Sequence, residues 1–118
     1  MSNNRAAIQR AKEVLKIEAQ SILSLVDKIN GSFTRAVNLI FQCKGRVIIT
    51  GIGKSGLIGR KIVPTLTSTG TQALFLHPAE GIHGDLGIVT KDDILLAISN
   101  SGETRELIPI ISSVKHIG

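Results

Sequence analysis

The chain is poor in the residues on which several classes of protein depend. It has no tryptophan or tyrosine and three phenylalanines, and aromatic residues make up 3% of its 118 residues. Proteins that bind single-stranded nucleic acid by stacking need more rings than this, so we expect no nucleic-acid partner. The single cysteine, Cys43, excludes an internal disulfide bond and a cysteine-based metal cluster.

Long hydrophobic runs are also lacking. None approaches the roughly 18 residues that a membrane span needs, and the N-terminus leads into a charged segment and not into a secretory signal. With one cysteine, these features predict a cytoplasmic protein without a membrane partner. Hydrophobic residues at 42% and charged residues at 19% are typical of a globular fold. The net charge of +5 arises entirely within the first 46 residues.

Apolar spacing predicts two helices before residue 46. Residues 5–29 carry an apolar stripe at helical intervals, and Asn30-Gly31 is expected to end this helix. Ser32 is expected to cap a second helix that ends at Gly45. We therefore predict a helical segment at the N-terminus.

After this segment, strand and helix patterns alternate. The predicted elements are strands at 46–50, 73–76 and 93–98 and helices at 55–66 and 105–116. This order is typical of an α/β fold with a parallel sheet. Three strands are few for a parallel sheet of this kind, so we expect the sheet to be incomplete. We therefore predict two parts: an N-terminal helical segment, 1–45, and the first part of an α/β core, 46–118. Pro64 predicts a kink or break in the first of these helices, near residues 62–64.

A glycine-rich loop, GIGKSG at 51–56, follows the first predicted strand. It matches the dinucleotide pattern G-x-G-x-x-G, but His77 stands where the supporting acidic residue is expected. It also matches the end of a Walker A loop, but Ile48 stands where that motif requires glycine. The features with which both motifs bind phosphate are nevertheless present. Backbone N–H groups, a helix N-terminus, Lys54 and Ser55 together suit a phosphate group.

A second polar loop, SNSGET at 99–104, follows the third predicted strand. In a flavodoxin-like strand order the first and third strands are neighbours, so the two loops lie side by side at the carboxyl edge of the sheet. The serines of one such loop could be ordinary helix caps. Two hydroxyl-rich loops at matched positions instead favour a phosphate site.

Three stretches of the sequence resemble the SIS (sugar isomerase) domain, and in particular the KpsF/GutQ family of D-arabinose 5-phosphate isomerases. They are ITGIGKSGLIGRKI, TSTGTQALFLHPAEGIHGDLGIV and ISNSGETREL. The resemblance implies a flavodoxin-like three-layer sandwich with a parallel sheet, preceded by two helices. It implies a bacterial cytoplasmic enzyme that interconverts D-ribulose 5-phosphate and D-arabinose 5-phosphate, a precursor of the lipopolysaccharide sugar Kdo. A homotetramer, often with a tandem CBS pair after the SIS domain, is implied as well.

The same resemblance implies roles for individual residues. Residues that bind the phosphate or the rest of the sugar are implied at Gly53, Ser55, Gly70, Thr71, His83, Ser99, Asn100, Ser101 and Thr104. Catalytic roles are implied for Lys54, His83 and Glu106. No cofactor is required, although some members bind zinc at the position of His77.

Isomerisation of an aldose to a ketose needs a base beside the carbonyl carbon and a donor that stabilises the enediolate oxygen. Glu106, expected in the first turn of the last helix, suits the base, and Lys54 or His83 suits the donor. Glu106 could instead be a solvated acid favoured by the helix dipole. Alternatives for the whole chain are a non-catalytic regulatory module that binds sugar phosphates and a fragment without a function of its own. We expect the parent protein to be an isomerase and this chain to be weak or inactive alone.

Overall fold

The computed structural model describes residues 2–79, 85–102 and 105–118. Its backbone divides into two compact units, Met1–Val37 and Asn38–Gly118. In these described ranges, no helix has both the length and the apolar character needed to cross a membrane.

The first unit is helical. Helix α1 spans Ser2–Leu23, a 3-10 turn spans Val26–Lys28, and helix α2 spans Gly31–Gln42, ending in the second unit. Every side chain from residue 3 to residue 37 is exposed, including the predicted apolar stripe. The two predicted helices are therefore present, and their apolar residues remain accessible.

The ends of these helices differ from the prediction. Helix α1 ends at Leu23 and not at residue 29, because the chain tightens to a 3-10 pattern in which Leu25 N–H donates to Ile22 O at 3.0 Å. Ser24 Oγ also donates to Ser21 O at 2.7 Å, which competes with helical backbone bonds. Helix α2 ends at Gln42 and not at Gly45.

The predicted cap of α2 is also wrong. Asn30 Oδ1 accepts the Ser32 N–H at 2.9 Å, so Asn30 supplies the capping oxygen. Asn30 was expected to end the preceding helix, but its side chain instead caps the N-terminus of α2.

Within the described residues of the second unit, three strands form one parallel sheet. Strand β1 spans Val47–Gly51, β2 spans Ala73–Phe75 and β3 spans Ile94–Ile98. Their order is β2-β1-β3, so β1 lies in the centre and β3 is its neighbour, as predicted. The parallel α/β class is confirmed.

Helices cover both faces of this sheet. Helix α3, Gly53–Ser68, packs so closely that a Cβ at Gly59 would lie 2.9 Å from Ile49 Cγ2. On the opposite face Ile48 forms a buried cluster with Leu76 and Val89. Val114 of helix α4, Ile108–Ile117, packs against that cluster, which gives three layers.

A buried carboxylate joins the residues that immediately precede β1 and β3. Asp93, with 2% of its side chain exposed, accepts the Arg46 N–H at 2.7 Å and the Thr90 N–H at 2.8 Å. The Arg46 guanidinium lies 3.2 Å from Asp93 Oδ2. Burial raises the pKa of Asp93, but these backbone N–H groups and the guanidinium lower it by more, so the pKa lies below its ordinary value.

Helix α3 runs unbroken through Pro64, so of the kink or break expected near residues 62–64 the break is wrong and the kink stays a prediction. Proline has no N–H group, so it removes one helical hydrogen bond. Two threonines that follow Pro64 donate to carbonyls that precede it: Thr65 Oγ1 donates to Lys61 O at 3.1 Å, and Thr67 Oγ1 donates to Val63 O at 3.0 Å. These side-chain hydrogen bonds add to the backbone hydrogen bonding of the helix next to the proline that weakens it.

Candidate functional site at the carboxyl edge of the sheet

The loop between β1 and α3 presents an uncapped helix N-terminus. Ile52 is extended, with φ −118° and ψ 146°, and Gly53 takes the left-handed φ of 60° with which α3 begins. The N-cap position is Ile52, whose side chain makes no capping hydrogen bond. The first N–H groups of α3 have no helical acceptor and receive no bond from the side chain of their N-cap residue, an arrangement that suits an anion.

Glycine permits the close approach that shapes this loop. A Cβ at Gly56 would lie 2.7 Å from Gly51 O, so the start of α3 sits directly against the end of β1. Lys54 is exposed and Ser55 is half-buried at this point. The predicted ligands Gly53, Lys54 and Ser55 are thus together in one turn.

The loop after β3 begins beside the loop after β1. The register pairs Gly51 with Ile98, so both chains leave the sheet at adjacent positions. The half-buried Ser99 accepts the Gly102 N–H on its Oγ at 3.0 Å, and Gly102 has a φ of 73°. Asn100 and Ser101 are exposed on this loop. The structure therefore brings the predicted ligands of the glycine loop and those of the loop 99–102 to the same edge of the sheet.

Glu106 occupies a different position from the one predicted. Helix α4 begins at Ile108 and not at Arg105, so the exposed Glu106 lies in the turn before the helix and not in its first turn. Pro109 explains the difference. In a helix that began at 105 it would lack the N–H that bonds to Arg105 O, whereas in the first turn that N–H is not needed.

Gly70 and Thr71 lie at the opposite edge of the sheet. They precede β2, and because β2 runs parallel to β1 they sit beside the start of the strands. They line a cavity of about 480 Å³ together with residues such as Phe41 and Lys44. Within this chain the structure does not bring them to the Gly53 loop, and their contact with substrate stays a prediction.

His77 is half-buried after β2, and its Nδ1 accepts the Ala79 N–H at 3.1 Å. In a neutral imidazole this bond places the ring proton on Nε2, which then offers no lone pair to a metal. Among the residues that the structure describes, no group of three His, Cys, Asp or Glu side chains could hold a metal ion. Zinc at His77 therefore stays a prediction.

Two predicted site residues, His83 and Thr104, lie outside the described residues. The predicted roles of His83 as a catalytic and substrate-binding residue, and of Thr104 as a phosphate ligand, therefore stay predictions.

One residue of this region was not singled out from the sequence. Thr50, in the buried strand β1, has a relative exposure of 0%, and its Oγ1 has no hydrogen-bond partner among the described residues. The only signal in the sequence is a hydroxyl directly after the apolar run Val47–Ile49 and before the glycine loop.

Comparison with known proteins places this geometry in a family. The SIS domain matches residues 39–118. A Pseudomonas aeruginosa protein named arabinose 5-phosphate isomerase KdsD is 45% identical over 118 residues, all of this chain and 36% of that protein. The Yersinia pestis protein of the same name is 51% identical over 107 residues, 91% of this chain and 33% of that protein.

A solved structure is similar as well. An Escherichia coli CFT073 protein in complex with arabinose 5-phosphate superposes with a TM-score of 0.91 and 39% identity, covering 98% of this chain and 61% of that chain. The chain spans about a third of the length of the curated relatives it matches. With the SIS match over most of its length, the chain belongs to the SIS domain family.

Proposed function

We propose that the chain binds a small phosphorylated sugar at the carboxyl edge of its sheet, as part of a sugar-phosphate aldose–ketose isomerase. The observation that carries the proposal is the adjacency of β1 and β3, which places the uncapped start of α3 beside the loop 99–102. The names of the relatives and the arabinose 5-phosphate complex of the similar structure support the same ligand class.

The phosphate would occupy the start of α3. Its oxygens accept hydrogen bonds from the first N–H groups of that helix, where the helix dipole also favours negative charge. The ammonium group of Lys54 and the hydroxyl of Ser55 add donors from the same turn. Ser99 and Ser101, on the adjacent loop, are the second group of proposed ligands.

The proposed reaction interconverts D-arabinose 5-phosphate and D-ribulose 5-phosphate. A carboxylate removes the proton from C2 of the aldose, and the C–H electron pair forms the C1–C2 double bond while the carbonyl pair moves onto O1 to give an enediolate. A proton then passes from O2 to O1, the electron pair on O2 forms the C2 carbonyl, and the carboxylate returns its proton to C1. Glu106 is the proposed base, since it is an exposed carboxylate near the start of α4. Because Lys54 is assigned to the phosphate, His83 is the proposed donor to the developing oxyanion.

Phosphorus NMR of D-arabinose 5-phosphate mixed with the chain tests the proposal. We expect a shifted or broadened phosphate resonance that reports binding, with little or no ribulose 5-phosphate formed by this chain alone. Full turnover would show that the chain holds the whole catalytic set. Binding without any turnover in the full-length protein would favour the regulatory module, and the absence of binding by folded chain would contradict the proposal.

A matched pair of lysine variants locates the site. Lys54→Met should weaken binding about tenfold, because it removes a charge-assisted bond to phosphate. Lys61→Met removes another exposed lysine from the same helix, two turns further from the loop, and should leave the affinity unchanged. Equal losses in the two variants would mean that general positive charge, and not this loop, attracts the ligand.

The proposal also includes a cytoplasmic homotetramer that serves synthesis of the Kdo precursor. Self-association is supported by exposed apolar side chains in the first unit, such as Leu15 at 65% and Ile22 at 68%. Sedimentation velocity over a range of concentrations measures the oligomeric state, and a monomer at every concentration would contradict this part of the proposal.

A further inference from the structure

The hydroxyl of Thr50 is an unusual group in the centre of the sheet. The residue is fully buried, and its Oγ1 finds no hydrogen-bond partner among the described residues. Valine has nearly the same shape and carries no polar atom, so it would fill this position without an unsatisfied group. A buried hydroxyl without a partner lowers the stability of the fold.

The strand register places this hydroxyl beneath the proposed site. Side chains alternate along a strand, so Thr50 shares the face of Ile48, and its partner across the ladder is Ala97 of β3. The same alternation puts Ser99, the first residue after β3, on that face. Strand spacing gives about 8 Å between the Cα atoms of Thr50 and Ser99, which is within reach of a small movement of the loop.

We propose that Thr50 is a positioning residue for the loop 99–102, and that its hydroxyl makes its hydrogen bond to this loop when a sugar phosphate is bound. Thr50 has no exposed surface with which to touch the ligand itself, so it acts through the loop that does. Binding then satisfies a hydroxyl that is otherwise unsatisfied, which adds to the affinity. This inference rests on the proposed function.

Thr50→Val and Thr50→Ser, compared with the unaltered chain, test the inference with two readouts. The first is the melting temperature without ligand, and the second is the dissociation constant for D-arabinose 5-phosphate from phosphorus NMR titration. Thr50→Val should melt about 3–6 °C higher, because the unsatisfied hydroxyl is gone. It should also bind about fivefold more weakly, because the hydrogen bond in the complex is lost.

Matched variants separate positioning from packing. Thr50→Ser keeps the hydroxyl and should retain the affinity of the unaltered chain even though its lost methyl lowers the melting temperature. Thr65→Val makes the same substitution on an exposed turn of α3 and should leave the affinity unchanged. Combining Thr50→Val with Ser99→Ala should cost less affinity than the two single losses predict, because both act through one loop.

Each other result decides against the inference. A higher melting temperature of Thr50→Val with unchanged affinity would show that the hydroxyl is only a defect of the core. A lower melting temperature would show that the hydroxyl is already bonded without ligand. If the unaltered, folded chain does not bind the sugar phosphate, the proposed function fails together with this inference, whereas binding that Thr50→Val leaves intact overturns the inference alone.

Discussion

The two units of the chain use apolar side chains in opposite ways. In the unit Met1–Val37, every described side chain from residue 3 onward is exposed, although isoleucine, leucine and valine recur along α1. In the unit Asn38–Gly118, β1 is buried over its whole length. Periodic apolar residues therefore predict a helix in the first unit but do not by themselves predict a core. The β-branched run of β1 predicts both its conformation and its burial.

Truncation of the core is expected to have the largest effect on this contrast. Ile48→Ala should lower the free energy of unfolding by about 3 kcal/mol, since it removes a buried side chain from the cluster with Leu76 and Val89. Ile17→Ala, at a residue that is 57% exposed on α1, should change it by less than about 0.5 kcal/mol in samples that sediment as monomers. Urea denaturation measures both values.

The concentration dependence sharpens this first comparison. If the loss of unfolding free energy in Ile17→Ala grows with protein concentration, another copy of the chain covers this side chain. The difference in burial between the two units would then hold only for the monomer. Should Ile48→Ala prevent folding, Ile48→Val gives a measurable loss of about 1 kcal/mol. Equal losses at the two positions in dilute samples would contradict the buried core described above.

Added methyl groups should come next in size. Gly56→Ala should destabilise the chain by about 2 kcal/mol and weaken sugar-phosphate binding, because the new Cβ would lie 2.7 Å from Gly51 O. Gly31→Ala, at the start of α2, meets nothing within 4 Å and should stabilise the chain by about 0.5 kcal/mol. Calorimetry and NMR titration follow the two effects, and a neutral Gly56→Ala would show that the loop is not tightly packed.

Charge removal should give a smaller effect that depends on pH. Asp93→Asn should cost about 1.5 kcal/mol at pH 7, because the buried carboxylate bonds Thr90 and Arg46. The pKa of Asp93 is depressed in the fold, so its contribution is complete well above the unfolded pKa of about 3.9 and is lost as the pH falls through the lower folded pKa. The stability difference between Asp93→Asn and the unaltered chain should therefore shrink below about pH 4.

The smallest effect is expected for the exposed ion pair of α1. Arg10 Nη1 lies 3.1 Å from Glu13 Oε2, and the two side chains are 73% and 49% exposed. Glu13→Gln should change the free energy of unfolding by less than about 0.5 kcal/mol, and salt should reduce even that. If Glu13→Gln lowered the free energy of unfolding as much as Asp93→Asn does, burial would not explain why the Arg46–Asp93 pair contributes more than the Arg10–Glu13 pair.

Local signals predict the parts of the fold whose cause is local. The run that forms β1 is predicted to within one residue, because β-branching acts through the backbone at those positions. Helix α3 begins at Gly53, two residues before its predicted start, so most of the predicted loop 51–56 is the first turn of that helix. The start of α4 is missed by three residues because the effect of Pro109 on an earlier helical turn is not weighed. Thr50 could not be predicted as unsatisfied, because the lack of a partner depends on what β2, β3 and α4 place around it.

The central position of β1 has a consequence for how the chain folds. All contacts of the parallel ladder are non-local: Arg46 and Asp93, which join the starts of β1 and β3, are 47 residues apart in the chain. Parallel pairing of this kind forms slowly, whereas a helix such as α1 forms within about a microsecond. During synthesis the apolar run Val47–Ile49 emerges well before β3 and stays unpaired on that side until β3 has been made. Chains that stop before residue 94 should therefore aggregate through this unpaired strand edge.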